Sequence, residues 1–201
     1  NKSIKQIVDE IPLYLKQNKT LFMEIVIILG LIFLNGILSM SEIAMVSARK
    51  SRLETAAKKG SKTAKTALRL ANEPDRFLST IQIGITLIGI LTGLYSGEAL
   101  AGDLARWLET IGIPQAHSLT LAKGIIVILV TYLTLILGEL VPKHLGMNAP
   151  EKIARLIARP MEVLSKIASP FVWLLSASTQ AVIRLTGLHA STENKVTEEE
   201  I

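Results

Sequence analysis

The segment Gly138-Glu139-Leu140-Val141-Pro142-Lys143 places a carboxylate beside a backbone carbonyl that lacks its usual partner. Pro142 has no amide hydrogen, so it cannot donate to the carbonyl of Gly138, four residues earlier. A carboxylate next to a freed carbonyl offers the oxygen ligands that a hard cation such as Mg²⁺ or Na⁺ selects. The structural alternative is that Pro142 ends the helix and Glu139 pairs with Lys143 one turn later.

A second set of oxygen-bearing side chains precedes this segment in the chain. Asn35, Ser39 and Glu42 are spaced to share one helical face, and Ser41 lies close to that line. If this face meets the carbonyl–carboxylate pair, the two sets predict an oxygen-lined cation site. The alternative is that the amide and hydroxyl only hydrogen-bond neighbouring helices, while Glu42 snorkels to the cytoplasmic end or pairs with Arg49.

A third stripe combines polar and small residues. Gln82 and Thr86 share a helical face with Gly89 and Gly93, and Gly89, Gly93 and Gly97 form two overlapping G-x-x-x-G repeats. Such repeats favour close packing between helices or between subunits. A polar, small-residue stripe facing Ser39 would also leave room for a partly hydrated ion, and the two interpretations are compatible.

Other kinds of chemistry find little support. The chain has no cysteine, so thiolate metal sites, disulfides and cysteine nucleophiles are excluded. Its three histidines are scattered, and no phosphate loop or catalytic triad order is present. With 4% aromatic residues there is little on which to stack bases, despite a net charge of +5. We therefore expect neither an enzyme nor a nucleic-acid-binding protein.

The elements that carry these residues are apolar enough for lipid. Apolar residues make up 49% of the 201 residues and charged residues only 19%. Residues 21–46, 77–101 and 121–141 form three apolar blocks, and each reaches the roughly 20 residues that a membrane-spanning helix needs. The sequence thus predicts an all-α integral membrane domain with three transmembrane helices.

The orientation follows from the basic residues. The loop between spans two and three, residues 102–120, carries Arg106 alone. The loop between spans one and two carries nine basic residues: Arg49, Lys50, Arg52, Lys58, Lys59, Lys62, Lys65, Arg69 and Arg76. The positive-inside rule then predicts an N-terminus outside and a C-terminus in the cytoplasm.

Two amphipathic segments flank the spans. Residues 4–15 predict a short helix on the outer surface. After span three, apolar residues recur at helical spacing opposite basic ones, which predicts a helix lying in the inner interface. Its apolar face is Ile153, Leu156, Ile157, Met161, Leu164, Ile167, Ala168 and Phe171. A fourth span over residues 160–185 is the less favoured alternative, since Glu162, Lys166 and Pro170 interrupt it.

Three ordered motifs resemble the transmembrane domain of the CNNM/CorC family, whose bacterial members are often labelled hemolysin-like. They are Gly36-Ile37-Leu38-Ser39-Met40-Ser41-Glu42-Ile43-Ala44, Gln82-Ile83-Gly84-Ile85-Thr86-Leu87 and Gly138-Glu139-Leu140-Val141-Pro142-Lys143. The resemblance implies three membrane helices, a belt-like juxtamembrane helix and a homodimer. It also implies that a nucleotide-binding CBS pair follows, to which the acidic run ending at Ile201 would lead.

The domain boundaries expected on this basis are an interfacial segment (1–20), a three-helix membrane domain (21–146), juxtamembrane helices (147–188) and a linker (189–201). The chain begins without Met and stops in a polar run, so we expect it to be part of a longer protein. Nucleotide binding is expected only through the CBS pair.

The resemblance also assigns ligands. Ser39 matches the motif serine that faces the ion, and Gly138 and Glu139 match the carbonyl and carboxylate. The second motif departs from the magnesium-binding pattern, because Ile85 and Gly89 stand where relatives often carry asparagine. Ser41, Thr86, Gln82 or water are the candidate replacements.

The expected function is export of a divalent cation, with Mg²⁺ first, driven by inward Na⁺ flow across a prokaryotic inner membrane. Two alternatives remain open. One is an exporter of another cation such as a polyamine, for which the loss of both asparagines would suit a wider site. The other is a non-transporting membrane sensor or scaffold, whose polar groups only hold a dimer together.

Overall fold

The structure, a computed structural model, describes the backbone of residues 2–185 and the side chains of residues 20–185. Within this part, the chain forms eight α-helices and one π-helical turn. They are α1 (Lys2–Ser47), α2 (Lys50–Lys58), α3 (Lys62–Asn72), α4 (Pro74–Ala99), α5 (Ala101–Thr110), α6 (Gln115–Leu135), the π-turn (Ile136–Leu140), α7 (Val141–Asn148) and α8 (Pro150–Leu185). The predicted all-α class is confirmed.

Three stretches of described helix are long and apolar enough to cross a membrane: Thr20–Ser47, Pro74–Thr110 and Gln115–Asn148. Each contains one of the spans that the sequence predicts. The third differs at its end, because helical structure continues through Pro142 to Asn148. The structural alternative in which Pro142 ends the helix is therefore wrong.

The first helix is longer than its span. The backbone of α1 runs without interruption from Lys2 to Ser47, so residues 4–15 belong to the same helix as the first span. Their side chains, and the whole of the predicted linker 189–201, lie outside the described residues.

The juxtamembrane part consists of α2, α3 and α8. The buried face of α8 consists of Ala154, Ile157, Ala158, Met161, Ser165 and Ala168, and its apolar members up to Met161 join a core that also holds Leu53 from α2 and Leu70 from α3. Ion pairs add to this contact: Glu162 pairs with Arg69 of α3, and Glu151 pairs with Arg52 of α2.

The predicted apolar face of α8 is divided in the structure. Ile157, Met161 and Ala168 are buried, whereas Leu156, Ile167 and Phe171 are exposed. The helix therefore has one apolar side against the protein and another free to contact lipid, as an interfacial helix requires. Among the described helices α8 is not apolar enough to count as a span, which disfavours the fourth-span alternative.

Three glycines bring α1 close to the third span. A Cβ atom at Gly36 would lie 3.0 Å from both the carbonyl oxygen of Leu137 and Cγ of Pro142. A Cβ at Gly138 would lie 3.2 Å from the Ile32 carbonyl oxygen, and one at Gly146 would lie 2.8 Å from that of Met40. Only glycine permits this approach without displacement, and it brings the Asn35–Ser39 face against the π-turn.

Candidate cation site

The Asn35 amide is the first contact between the two predicted oxygen sets. Asn35 is 4% exposed, Ser39 is 1% exposed and Gly138 is buried. The Asn35 Nδ2 group donates to the carbonyl oxygen of Gly138 at 3.1 Å. The predicted meeting of α1 with the Gly138 segment is therefore present in the fold.

This contact corrects the expectation that the Gly138 carbonyl is unpaired. Pro142 removes its helical donor, but a bare carbonyl in an apolar interior is costly, and the Asn35 amide supplies a replacement. A carbonyl oxygen has two lone pairs, so Gly138 keeps one acceptor position beyond the bond to Asn35.

The π-turn explains how the helix passes Pro142 without breaking. The amide of Val141 donates to the carbonyl of Ile136, five residues earlier, which is the π-helical pattern. This turn, Ile136–Leu140, carries Gly138 and Glu139 and ends two residues before Pro142, which lies in the first turn of α7. Such turns are frequent at functional sites.

Two buried oxygens next to this turn have no partner. Among the described residues, Asn35 Oδ1 and Ser39 Oγ are the buried side-chain atoms without a hydrogen bond. An unsatisfied buried polar group costs about 1–3 kcal/mol, so each requires an explanation. Asn35 and Ser39 lie one turn apart on the same helix face, and a cation would give both oxygens a partner.

The carboxylates form a separate ionic group. Lys143 Nζ lies 2.8 Å from Glu139 Oε1 and 3.7 Å from Glu42 Oε2. The pairing of Glu139 with Lys143, which was the structural alternative, is thus present, and Glu42 pairs with Lys143 rather than with Arg49. Two carboxylates around one ammonium leave a net negative charge.

The remaining candidate ligands lie elsewhere. The Ser41 hydroxyl donates to the carbonyl of Ile37 in its own helix at 2.5 Å. Gln82 and Thr86 are exposed and line a groove of about 790 Å³ with Glu42, Leu175 and other residues of α4 and α8. Both side chains thus lie on an outer surface, whereas Ser39 is buried. This differs from the interpretation in which the stripe faces Ser39.

The inward side of α4 carries different polar groups. Thr80, Thr92 and Ser96 are buried, and their hydroxyls donate to carbonyls of α4 itself at 2.8, 2.7 and 3.2 Å. Of the two positions that depart from the magnesium-binding pattern, Ile85 packs against the core and Gly89 is exposed. Thus neither position presents a side-chain oxygen to the Asn35–Ser39 face.

Within residues 20–185, no group of three or more His, Asp or Glu side chains is arranged to hold a metal ion. A cation at the π-turn would therefore be held chiefly by amide, hydroxyl and carbonyl oxygens. The sequence identified Ser39 and Gly138, and it placed Asn35 on the same face without counting it as a ligand. The one-turn spacing of Asn35 and Ser39 is the signal that could have added it.

The chain matches the family model described as the Cyclin M transmembrane N-terminal domain over residues 26–201. The chain belongs to the CNNM family. The resemblance carried by the three motifs is thus confirmed, and the three apolar helices make this CNNM domain part of a multi-pass membrane protein.

Relatives of this CNNM domain occur in several bacteria. It is 48% identical over 179 residues to the UPF0053 protein sll0260 of Synechocystis, covering 89% of this chain and 40% of the relative. It is 32% identical to the UPF0053 protein YhdT of Bacillus subtilis, over 82% of this chain and 36% of the relative. It is 29% identical to the polyamine export protein of Escherichia coli, over 88% of this chain and 39% of the relative. The chain spans about two fifths of the length of these relatives.

Proposed function

We propose that this CNNM domain is the membrane part of an exporter of divalent cations, with Mg²⁺ as the transported ion and inward Na⁺ flow as the driving force. The observation that carries the proposal is the pair of buried, unpartnered oxygens, Asn35 Oδ1 and Ser39 Oγ, beside the π-turn. Oxygen atoms of these types are suitable ligands for Mg²⁺.

The ligand set fits an ion that must also leave. Asn35, Ser39 and the second lone pair of the Gly138 carbonyl contribute neutral oxygens, and Mg²⁺ keeps several of its waters readily. Binding at such a site is weak enough to permit release, which transport requires. Glu139 would supply the carboxylate once it leaves Lys143, whose ammonium pairs with Glu139 and Glu42 when the ion is absent.

Titration calorimetry with MgCl₂ on the purified protein tests the site. Ser39→Ala removes one unpartnered oxygen and should weaken Mg²⁺ binding at least roughly tenfold, about 1.4 kcal/mol. Ser96→Ala is the matched control, because this equally buried serine is bonded to its own helix, and it should bind as the wild type does. Equal affinities for Ser39→Ala and wild type would refute the site.

The carboxylate is tested by flux. Glu139→Ala should abolish Na⁺-dependent Mg²⁺ transport in liposomes while the protein stays folded. Lys143→Gln should retain transport, since it removes only the competing ammonium. Transport by the Glu139→Ala protein would contradict the proposed role of Glu139. A wild-type protein without Na⁺-dependent flux would favour the sensor or scaffold alternative.

The groove between α4 and α8 favours a second candidate, export of a polyamine. It offers one carboxylate, Glu42, and the polar side chains of Gln82 and Thr86 between apolar residues. A linear polyamine alternates ammonium groups with methylene segments, which matches this lining. The named activity of the E. coli relative points the same way.

Spermidine titrations separate the two candidates. If the groove binds polyamines, Gln82→Leu should weaken spermidine binding several-fold and leave Mg²⁺ binding unchanged, because the exposed Gln82 lines the groove and is not one of the oxygens proposed to hold Mg²⁺ at the π-turn. Competition between spermidine and Mg²⁺ at one site would show instead that the π-turn serves both.

The membrane orientation, the oligomeric state and the cytoplasmic partner domain are also part of the proposal. The nine basic residues between spans one and two support a cytoplasmic C-terminus in a prokaryotic inner membrane. The family supports a homodimer and a CBS pair that binds nucleotide and acts on α8. We propose that the chain belongs to a transporter and not to an enzyme.

A further inference from the structure

A cavity of about 820 Å³ lies where the membrane helices meet the juxtamembrane helices. Its lining includes Ser47 at the end of α1 and Asn148 at the end of α7. The beginnings of α2 and α8 contribute the rest of the wall. It lies apart from the oxygen cluster at the π-turn, with which it shares no lining residue.

The cavity has a surplus of positive charge. Its walls hold four cationic side chains, Arg49, Arg52, Lys152 and Arg155, and one carboxylate, Glu151. Electrostatic repulsion among four cations around one cavity is unfavourable unless an anion compensates it.

The single carboxylate leaves most of this charge uncompensated. Arg52 Nη1 lies 3.6 Å from Glu151 Oε1. The Arg155 Nε group donates to the backbone carbonyl of Glu151 at 3.2 Å, which fixes its guanidinium without neutralising it. Arg49 and Lys152 have no carboxylate within 4.0 Å in the part of the chain that the structure describes.

The position of the cavity indicates which anion it would meet. Ser47 and Asn148 are the last residues of the first and third candidate membrane-crossing stretches. Both follow the apolar blocks 21–46 and 121–141, so we place the cavity at the headgroup side of these helices. Lipid phosphates occupy this level. Exposed apolar side chains, Met147 in the wall and Leu156 one turn along α8 from Lys152, continue from it toward the lipid.

We propose that this cavity binds the phosphate of an anionic lipid headgroup through Arg49, Arg52, Lys152 and Arg155. Basic pockets beside membrane helices bind anionic headgroups in this way, and arginine forks suit phosphate oxygens. Ser47 and Asn148 add neutral donors at the membrane side. The bound lipid would join α1 and α7 to α2 and α8.

The experiment uses soluble short-chain lipids as probes. The purified protein in a neutral detergent is titrated calorimetrically with dihexanoylphosphatidic acid, dihexanoylphosphatidylcholine and inorganic phosphate. The test variant is Arg49→Gln/Lys152→Gln, which removes the two cations that lack a carboxylate. The matched control is Lys59→Gln/Lys65→Gln, which removes the same number of charges, both from the basic loop that carries Arg49, at exposed positions outside the cavity.

The expected result is saturable binding of dihexanoylphosphatidic acid that weakens roughly tenfold or more in the cavity variant and less than about twofold in the control. Lys152→Gln alone, at an exposed side chain, should weaken binding in the same direction if the double variant fails to fold. Phosphatidylcholine and inorganic phosphate should bind weakly.

Three results would overturn the proposal. No binding of phosphatidic acid by the wild type would remove the site. Equal weakening in both double variants would reduce the effect to diffuse attraction by the basic loop. Inorganic phosphate binding as tightly as phosphatidic acid would assign the cavity to a soluble phosphate instead of a lipid.

Discussion

Asn35 serves two purposes at the residue scale. Its amide nitrogen replaces the hydrogen bond that Pro142 cannot make to the Gly138 carbonyl, and its amide oxygen is left without a partner in a buried position. The amide nitrogen therefore has a structural role, and the amide oxygen is free for the proposed role as a cation ligand. Ser39 differs, since its buried hydroxyl has no partner among the described residues.

This difference predicts opposite effects on stability. Asn35→Ala leaves the Gly138 carbonyl buried without a donor and should lower the free energy of unfolding by about 1–2 kcal/mol. Ser39→Ala removes a buried oxygen that makes no hydrogen bond, so it should leave the free energy of unfolding unchanged or raise it by up to about 1–3 kcal/mol. Thermal unfolding in detergent without divalent cations measures both. Similar losses in the two variants would show that the Ser39 hydroxyl has a structural partner.

At the scale of elements, the approach of α1 to α7 places the π-turn. Gly146 fixes how near the two helices come, because a side chain there would meet the backbone oxygen of Met40. Gly36, in α1, has the same effect, because a side chain there would meet Leu137 and Pro142. The geometry of the candidate site therefore depends on residues that carry no chemical group of their own.

Gly146→Ala should destabilise the protein by about 1–3 kcal/mol through overpacking and weaken Mg²⁺ binding. Gly124→Ala is the control: this helical glycine has nothing within 4 Å of an added Cβ, so the better helix propensity of alanine should leave stability unchanged or raised by up to about 1 kcal/mol. Melting temperatures of the two variants test the prediction. A Gly146→Ala protein as stable as wild type would contradict the close approach.

A second element-scale contact joins α3 to α8 through Glu162. The Lys166 ammonium, one turn away, and the Arg69 guanidinium hold the pKa of the Glu162 carboxyl below its usual value. Because the pKa is lower in the folded state, the ionised carboxylate stabilises the fold at pH values above the ordinary carboxyl pKa of about 4.3. This contribution is lost as the pH falls through the folded-state pKa.

The melting temperature of the wild type should therefore exceed that of Glu162→Gln at neutral pH. The difference should shrink only as the pH falls below about 4.3, because both side chains are then uncharged. Melting curves across this range, with Glu54→Gln as a control for an exposed pair within α2, measure the effect. A constant difference down to strongly acidic pH would show that the ion pairs are not its source.

At the scale of the whole molecule, the glycine repeats of α4 have no closely packed neighbour among the described residues. An added Cβ at Gly89, Gly93 or Gly97 would meet nothing within 4 Å. The same helix exposes Leu87, Ile90, Leu91 and Leu94. A small-residue repeat with no neighbour within 4 Å among residues 20–185 is available to a second copy.

We therefore expect Gly93→Ile to convert the proposed homodimer to monomers, because the branched side chain would hold the helix backbones apart. Gly124→Ile, at an exposed glycine of α6, is the control and should leave the assembly unchanged. Light scattering of the detergent-solubilised protein measures the mass. A Gly93→Ile protein that keeps the wild-type mass would place the interface elsewhere.

The sequence by itself determined the number of spans and the amphipathic pattern of α8, and it named the Ser39 face and the Gly138 segment as two oxygen sets that a cation site would have to bring together. These follow from local patterns, because the length of an apolar block, a helical period and a missing proline amide require no knowledge of neighbours. The family followed from three short ordered motifs for the same reason.

Only the tertiary structure decided how the polar groups pair. It gave the Gly138 carbonyl to Asn35 and added Glu42 to the Glu139–Lys143 pair, which the spacing of one turn already offered. It also placed Gln82 and Thr86 in an outer groove. It also gathered Arg49 and Lys152, far apart in sequence, around one cavity. Hydrogen bonds and ion pairs depend on the rotation of one helix against another, and glycine contacts between distant segments set that rotation. No local pattern in the sequence encodes it.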